Sequence, residues 1–252
     1  MHYKLTLCYD GTAYCGWQVQ PNAPTVCSTL QDAVEAVYGI RYDVKGCSRT
    51  DSGVHANGFV AALKTAESLP PDAVLRALNV HLPRDIAVIA CEEAPEEFHP
   101  RYDVAAKRYL YRIYDAPVRD PFREGRALHH PHRLDDAAMA KAAALFCGKH
   151  NFSAFCSAGG KIPEEERIRT VFRCSVTRAG DDVTLSVTGD GFLYNMVRIM
   201  AGTLTEIGEG RRSAQEITEI IASRDRARAG ITAPPEGLYL DAVFYDEKEA
   251  GL

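Results

Sequence analysis

The strongest candidate for chemistry in this chain is a single carboxylate in a loop that contains glycine. Asp51 lies in residues 49–56, RTDSGVHA, with Arg49 two residues before it and Gly53 two residues after it. Strand-like segments flank this run, and loops held between regular elements commonly present functional groups. A carboxylate there can serve as a nucleophile or in proton transfer. Local sequence by itself favours a structural alternative, an Asx-turn of the kind that Asp and Ser form beside Gly.

The same residues also fit a different class of enzyme. The tripeptide at 51–53, DSG, matches the D-[ST]-G signature of aspartic proteases, which need two such carboxylates sharing one proton. The chain contains no second copy, so a symmetric dimer would have to supply it. Arg49 and Thr50 also stand where those proteases usually have apolar residues. The protease interpretation is therefore the weakest of the three.

Two side chains far from this loop, Tyr109 and Arg198, have structural interpretations when their patterns are taken alone. Tyr109 shares one face of an alternating strand pattern with Tyr111 and Ile113, and the pattern by itself favours a buried strand face. Arg198 lies on a strongly apolar helix pattern, where an arginine more often extends its head group to the surface. Spacing alone therefore favours a structural interpretation of both residues.

Hydrophobic periodicity predicts the elements that must position these residues. Alternation predicts strands over residues 3–9, 42–47, 59–63, 86–91, 107–114, 171–177, 183–188 and 238–245. Helical spacing predicts helices that begin near residue 28 and near residue 213, and others over 72–79, 135–147 and 194–207. The predicted caps are Ser28 with Gln31, Asp135, and Ser213 with Glu216. The hairpin at 171–188 and the alternating strands favour an α+β architecture, with helices on one face of an antiparallel or mixed sheet.

Composition places the chain among globular proteins. Its 252 residues suit one large or two ordinary domains, and 46% of them are hydrophobic. No apolar run approaches the ~20 residues that span a bilayer, and the N-terminus lacks an apolar segment of signal-peptide length. These features predict a cytoplasmic protein with no membrane association.

Charge and cysteine usage bound the partners and cofactors. The net charge of −5 argues mildly against nucleic-acid binding, yet basic residues cluster within 101–112, 167–178, 198–212 and 224–228. The eight cysteines form no CxxC pair and have no histidine at zinc spacing. We expect free thiols, several of them buried, and no metal site.

Six motifs, taken together, resemble those of the tRNA pseudouridine synthase A family. They follow the family's order along nearly the whole chain, which makes chance agreement very improbable. The motifs are RTDSGVHA at 49–56, YDGTAYCGWQ at 9–18, NVHLPRDIAV at 79–88, FHPRYD at 98–103 leading into KRYLY at 107–111, FLYNMVR at 192–198, and APPEGLYL at 233–240.

The resemblance implies a fold and an activity. The fold would be that of pseudouridine synthases, with RRM- or ferredoxin-like halves at residues 1–104 and 105–252. These halves would form a mixed, largely antiparallel sheet with helices on one face and a central cleft. The activity would be isomerisation of uridine to pseudouridine in the anticodon stem-loop of tRNA, at positions 38, 39 and 40. A homodimer would carry it out without a cofactor or a metal.

The resemblance also implies roles for individual residues. Asp51 maps onto the catalytic aspartate, a nucleophile that could attack C1′ or C6 of the uridine or assist elimination at the ribose. Tyr109 maps onto the active-site tyrosine, which would bind the uracil by stacking and take part in proton transfer. Arg198 maps onto the basic residue that pairs with the aspartate and favours its ionised form. In substrate binding, Arg49 would help extrude the base and Leu238 would form the floor of the uracil pocket.

One alternative of another class stays open at this point. A non-catalytic RRM-like protein would use the same α+β halves to stack RNA bases on aromatic residues of its sheet. Such a protein predicts that Asp51→Ala leaves function intact, whereas the enzyme hypothesis predicts loss of activity with RNA binding largely kept.

Overall fold

The computed structural model describes residues 1–157 and 163–251. Two compact units make up the fold. Unit 1 consists of Met1–Ala105 and Tyr239–Gly251, and the described part of unit 2 is Ala106–Leu238. The division into halves at 1–104 and 105–252 stays a prediction, and the C-terminal segment Tyr239–Gly251 lies in unit 1.

Strands and α-helices occur in both units. The strands are β1 (His2–Tyr9), β2 (Val44–Gly46), β3 (His55–Lys64), β4 (Ile86–Glu93), β5 (Ala106–Asp115), β6 (Leu128–His130), β7 (Gly148–Asn151), β8 (Ile168–Ala179), β9 (Asp182–Gly189) and β10 (Leu238–Phe244). The helices are α1 (Val26–Tyr38), α2 (Pro71–His81), α3 (Asp136–Ala144), α4 (Met196–Gly208) and α5 (Glu216–Ser223). In the described part of the chain, no helix combines the length and apolar character that crossing a bilayer requires.

Unit 1 is built on a mixed sheet with the strand order β4-β1-β3-β10. The pairs β4–β1, β1–β3 and β2–β3 are antiparallel, and β10 runs parallel to β3. The alternation of β1 buries Tyr3, Leu5 and Leu7 completely, as the sequence predicts. Helix α2 packs against β4, and α1 packs against α2 and β2.

Unit 2 contains an antiparallel run with the order β5-β9-β8-β7, and β6 pairs in parallel with β5. The predicted hairpin is present, with Ala179 opposite Asp182 at the closed end of β8 and β9. Helix α4 packs against β5 and α3, and its apolar residues Met196, Ile199, Met200 and Leu204 are buried. Both units therefore confirm an α+β fold with largely antiparallel pairing.

Two of the predicted helix caps are wrong, and one is confirmed. Thr25 caps α1, because its hydroxyl accepts the Ser28 N–H at 3.2 Å. Gln215 rather than Ser213 precedes α5, although Glu216 Oε1 does accept the Ser213 N–H at 2.8 Å. Asp135 caps α3 by accepting the Ala138 N–H at 2.9 Å.

Other boundaries differ where packing decides them. The predicted strand at 59–63 begins four residues earlier in β3, whereas the one at 42–47 shrinks to β2. Helix α3 ends at Ala144, three residues before the predicted Cys147. The short strands β6 and β7 carry no alternation that would predict them. His130 is a buried residue of β6 whose Nε2 lies 2.8 Å from Glu209 Oε1.

Candidate active site

The Asp51 loop joins β2 to β3 in unit 1, and its first half is anchored through Thr50. The Thr50 carbonyl accepts the Trp17 N–H at 3.2 Å, and the buried Thr50 hydroxyl shares a hydrogen bond of 3.0 Å with the Tyr9 hydroxyl. Gly16, with a φ of +79°, lies so close that an added Cβ would sit 2.2 Å from the Thr50 carbonyl oxygen. This contact requires glycine, so the YDGTAYCGWQ segment and the Asp51 loop form one packed pair.

The second half of the loop is a tight turn. The Asp51 carbonyl accepts the Val54 N–H at 3.2 Å, and Gly53 has the positive φ, +76°, that the third position of a type II turn requires. The Gly53 N–H and the Ser52 hydroxyl both donate to the Tyr14 carbonyl, at 3.2 Å and 3.3 Å. The turn that local sequence favours is therefore present, and Asp51 is its first residue, with a half-buried position.

A buried histidine supports the end of this loop, and the sequence did not single it out. His55 Nδ1 accepts the Gly11 N–H at 3.1 Å and lies 3.3 Å from Asp10 Oδ1. The His55 ring stacks on Tyr239 with centroids 4.6 Å apart. An added Cβ on Gly11 would lie 2.0 Å from the Val54 carbonyl oxygen. The only sequence signal for His55 was its place in RTDSGVHA, without an assigned role.

Arg49 directly precedes Thr50, and its side chain is exposed. It lines a groove of about 300 Å³ in unit 1 together with Lys45, Arg101 and Tyr102. Arg49 and Asp51 are thus placed two residues apart on a loop whose backbone is held by bonds on both sides.

Tyr109 lies on β5 of unit 2, opposite Val187 of β9. Its ring is largely buried and meets Phe192 edge-on, with centroids 5.0 Å apart. Its neighbour on the same face, Tyr111, donates its hydroxyl to the Pro234 carbonyl at 2.8 Å, and burial raises the pKa of that hydroxyl above its ordinary range. Tyr111 therefore serves a structural role, and the buried face that the alternation predicts is confirmed.

Arg198 lies in the first turn of α4 and has polar partners within unit 2. Its Nε donates to the Ala233 carbonyl at 2.8 Å, and its Nη1 donates to Asn195 Oδ1 at 2.9 Å. The Ala233 N–H returns a bond of 3.1 Å to the Arg198 carbonyl. Asn195, which precedes α4 with a φ of +60°, donates its Nδ2 to the Ser157 hydroxyl at 3.0 Å. The half-buried guanidinium is therefore oriented by the protein instead of extending freely into solvent.

The segment at 229–238 closes over α4 and carries Leu238. The Gly230 N–H donates to the Thr203 hydroxyl at 2.9 Å, and an added Cβ on Gly202 would lie 2.1 Å from the Ile231 carbonyl oxygen. Leu238 is buried at the first position of β10. Two hydrogen bonds between Arg198 and Ala233 thus tie the APPEGLYL motif to α4, and the glycine contact ties the residues just before the motif to the same helix.

The predicted site residues are divided between the two units. Arg49 and Asp51 belong to one loop of unit 1, whereas Tyr109, Arg198 and Leu238 belong to unit 2. The grouping of Asp51 with Tyr109 and Arg198 stays a prediction. Within residues 1–157 and 163–251, no group of three or more His, Cys, Asp and Glu side chains is arranged to hold a metal ion. All eight cysteines are free thiols, four of them buried.

Comparisons with known proteins cover nearly the whole chain. The sequence profile of a family described as tRNA pseudouridine synthase matches residues 7–103 and 142–246. The chain is 46% identical over 242 residues to tRNA pseudouridine synthase A of Acetivibrio thermocellus. This alignment covers 96% of this chain and 98% of that protein. It is 45% identical to the proteins of the same name from Methylacidiphilum infernorum and Ruminiclostridium cellulolyticum, with 96% of this chain covered in each case and 95% and 98% of those proteins.

Proposed function

The chain belongs to the tRNA pseudouridine synthase family, and we propose that Asp51, Tyr109 and Arg198 form the active site with which it isomerises uridine in tRNA. The reaction exchanges bonds within one nucleotide. The N1–C1′ glycosidic bond breaks, the uracil turns, and a C5–C1′ bond forms. The proton on C5 leaves and N1 gains one, so no oxidant or co-substrate is consumed.

The fixed backbone of the Asp51 loop is the observation that carries this assignment. Thr50 before Asp51 and Gly53 after it are both bonded to the segment that contains Tyr14 and Trp17. Asp51 itself stays half-buried, so its carboxylate lies on a rigid support without full burial. A nucleophile must be held within a fraction of an ångström of its reacting atom, and such anchoring supplies that precision.

Asp51 is proposed as the nucleophile or as the group that assists elimination at the ribose. Carboxylates act in this way at anomeric carbons in glycoside hydrolysis, where the leaving group also departs from C1′. Arg198 would pair with this carboxylate and keep it ionised and oriented. Tyr109 would stack on the uracil and accept or relay the proton that leaves C5.

Substrate binding requires more than these three residues. A uridine in a stem must leave the helical stack before a carboxylate can reach C1′, which costs a few kcal/mol. The exposed Arg49 is proposed to fill the vacated space and contact phosphate, and the buried Leu238 to form the apolar floor of the uracil pocket.

We also propose which uridines are modified, how the enzyme assembles and where it acts. The substrate uridines are proposed to lie in the anticodon stem-loop, at positions 38, 39 and 40, and the enzyme to act as a homodimer in the cytoplasm. Pseudouridine mapping in tRNA treated with the purified enzyme identifies the positions. Sedimentation equilibrium gives the molar mass, and a mass of one chain at working concentration would contradict the dimer.

Substitution of Asp51 tests the catalytic assignment. We expect Asp51→Ala and Asp51→Asn to reduce pseudouridine formation by at least about 10³-fold, because no other group replaces the carboxylate, while tRNA affinity changes less than about threefold. Asp135→Asn is the control, since asparagine can keep the cap of α3. Pseudouridine formation by Asp51→Ala at the wild-type rate would exclude Asp51 from the chemistry.

A further inference from the structure

The groove beside the Asp51 loop has features of a ligand site, and of its charged and aromatic lining only Arg49 has a role in the function proposed above. Its volume of about 300 Å³ is at the lower end of the range for small-molecule pockets and suits a group the size of one nucleotide. Every residue that lines it belongs to unit 1. Lys45, Arg49 and Arg101 supply positive charge, Tyr102 supplies an aromatic ring, and Asp43 is the single acidic residue of the lining.

The three cations of this groove are available for a ligand. Among the described residues, none forms an ion pair with Lys45, Arg49 or Arg101. Arg41 shows the contrast, since its guanidinium contacts Asp32 at 2.6 Å and Glu35 at 3.0 Å. In a chain with a net charge of −5, three unpaired cations around one cavity create a local field that attracts a polyanion.

Tyr102 is an exposed aromatic residue that the surrounding turn holds in place. It is 74% exposed, and its ring contacts His99 in a tilted arrangement, with centroids 4.3 Å apart and planes 31° from parallel. His99 Nδ1 accepts the backbone N–H groups of Arg101 and Tyr102, at 3.2 Å and 3.3 Å. The His99 N–H donates to Asp103 Oδ2 at 2.9 Å. His99 thus holds the backbone of the turn that carries Tyr102, and most of the tyrosine surface stays exposed.

An exposed aromatic ring beside arginines without an ion-pair partner matches the chemistry of single-stranded RNA. A base stacks on the exposed ring, and phosphates bind the cations that surround it. Arg101 already lies over the Tyr102 ring, with its Cζ 5.9 Å from the centroid, so it can contact both the ring and a phosphate. An acidic peptide would satisfy the cations but would offer no planar partner for the tyrosine.

We propose that this groove binds one unpaired nucleotide of the tRNA, with its base on Tyr102 and its phosphates at Lys45, Arg49 and Arg101. Because Arg49 and Asp51 are two residues apart, their Cα atoms lie within roughly 7 Å, so the bound nucleotide is a near neighbour of the reacting uridine. The identity of the RNA rests on the proposed function. The groove would fix the register of the strand on the enzyme.

Variants of Tyr102 test the stacking. We expect Tyr102→Ala to weaken tRNA binding about tenfold in fluorescence anisotropy, and to raise KM more than it lowers kcat. Tyr102→Phe keeps the ring and should bind within about twofold of wild type. Phe122→Ala is the matched control, because Phe122 is an exposed aromatic residue, at 88%, next to an arginine that is ion-paired.

Anticodon stem-loop RNAs with single abasic nucleotides identify the stacked base. At one loop position the abasic change should weaken wild-type binding about tenfold and leave the affinity of Tyr102→Ala unchanged, because the stacking is already lost. Equal losses for both proteins at every position would overturn the proposal, as would wild-type affinity in a folded Tyr102→Ala.

Salt dependence tests the phosphate contacts. Arg101→Ala should lower the slope of log affinity against log salt by about one, whereas Arg41→Ala, which removes a cation already neutralised, should not change it. An unchanged slope for Arg101→Ala would show that Arg101 does not contact a phosphate. The abasic-RNA test and the salt test measure binding alone. A wild-type protein that binds through Tyr102 but forms no pseudouridine would therefore refute the proposed function and not this inference.

Discussion

The orientation of Arg198 illustrates how single residues define the candidate site. Its guanidinium donates one bond to the Ala233 carbonyl and one to Asn195 Oδ1, so two of its nitrogens have fixed partners. Asn195 adopts a left-handed φ of +60°, which asparagine tolerates better than most residues. The planar fork of arginine suits this arrangement because it donates in two fixed directions, which the single ammonium of lysine does not.

The first prediction concerns Arg198→Lys, which keeps the charge and loses the fork. We expect kcat to fall about 100-fold, because lysine cannot hold both acceptors and also present an oriented charge. Stability should fall by about 1–3 kcal/mol if one buried acceptor loses its partner. Single-turnover kinetics and thermal unfolding measure the two effects, with Arg41→Lys as the surface control. A wild-type kcat for Arg198→Lys would show that charge alone is enough.

At the scale of elements, contacts between loops position Asp51 more directly than the strands do. The loop at 47–54 is held by the segment at 10–17 through backbone bonds to Tyr14 and Trp17. Gly16 and Gly11 permit the approach, because a Cβ on either would overlap a carbonyl oxygen of the loop. The motif at 9–18 therefore acts as the support of the motif at 49–56.

The second prediction compares two left-handed glycines of unit 1. Gly16 and Gly39 have φ values of +79° and +70°, so alanine costs a similar backbone strain of about 1–2 kcal/mol at each. Only at Gly16 does the new Cβ meet the Thr50 carbonyl oxygen, at 2.2 Å, since nothing lies within 4 Å of it at Gly39. We expect Gly16→Ala to lose at least about 100-fold in kcat and Gly39→Ala to stay near wild type.

Thermal unfolding must accompany these rates, because the comparison holds only for folded variants. Equal activity of the two folded variants would mean that the position of the Asp51 loop does not depend on this contact.

At the scale of the whole molecule, the chain leaves unit 1 after Ala105 and returns to it with β10. Tyr239 and Leu240 pair in parallel with His55 and Ala56, directly after the Asp51 loop. Further bonds join Asn57 Nδ2 to Asp241 Oδ1 at 2.8 Å and the Ala105 N–H to the Phe244 carbonyl at 2.9 Å. The last strand therefore completes the unit that carries the first site residue.

The third prediction uses truncation to test this return of the chain. A protein that ends at Leu238 lacks nearly all of β10, the parallel partner of β3. Unit 1 should then unfold cooperatively, which would be seen as rapid proteolysis within residues 1–105. A protein that ends at Tyr245 keeps every β10 contact and should keep most of its thermal stability. Comparable protease resistance for the two truncated proteins would contradict the role assigned to β10.

The sequence by itself determined the features that depend on local order. Alternation placed β1 and β5 and their buried faces, the apolar spacing of α4 placed its core residues, and the ordered motifs indicated the family. The motifs also gave Asp51, Tyr109 and Arg198 as candidates, whereas the Asp and Ser beside Gly53 predicted a turn at Asp51 and alternation predicted a buried strand face at Tyr109. Both of those interpretations are correct as structure, since a turn and a buried face can also carry a functional group.

Only the tertiary structure decided the features that depend on distant partners. The cap of α1 is Thr25 because the helix begins where buried contacts begin, and the strands β6 and β7 exist because β5 and β8 offer edges for pairing. The supports of the site, Gly16 against Thr50 and Ala233 against Arg198, join residues about 35 positions apart. A periodic pattern records which face of an element is apolar, but the hydrogen-bond partner of a carbonyl or a guanidinium is set by which segments pack together.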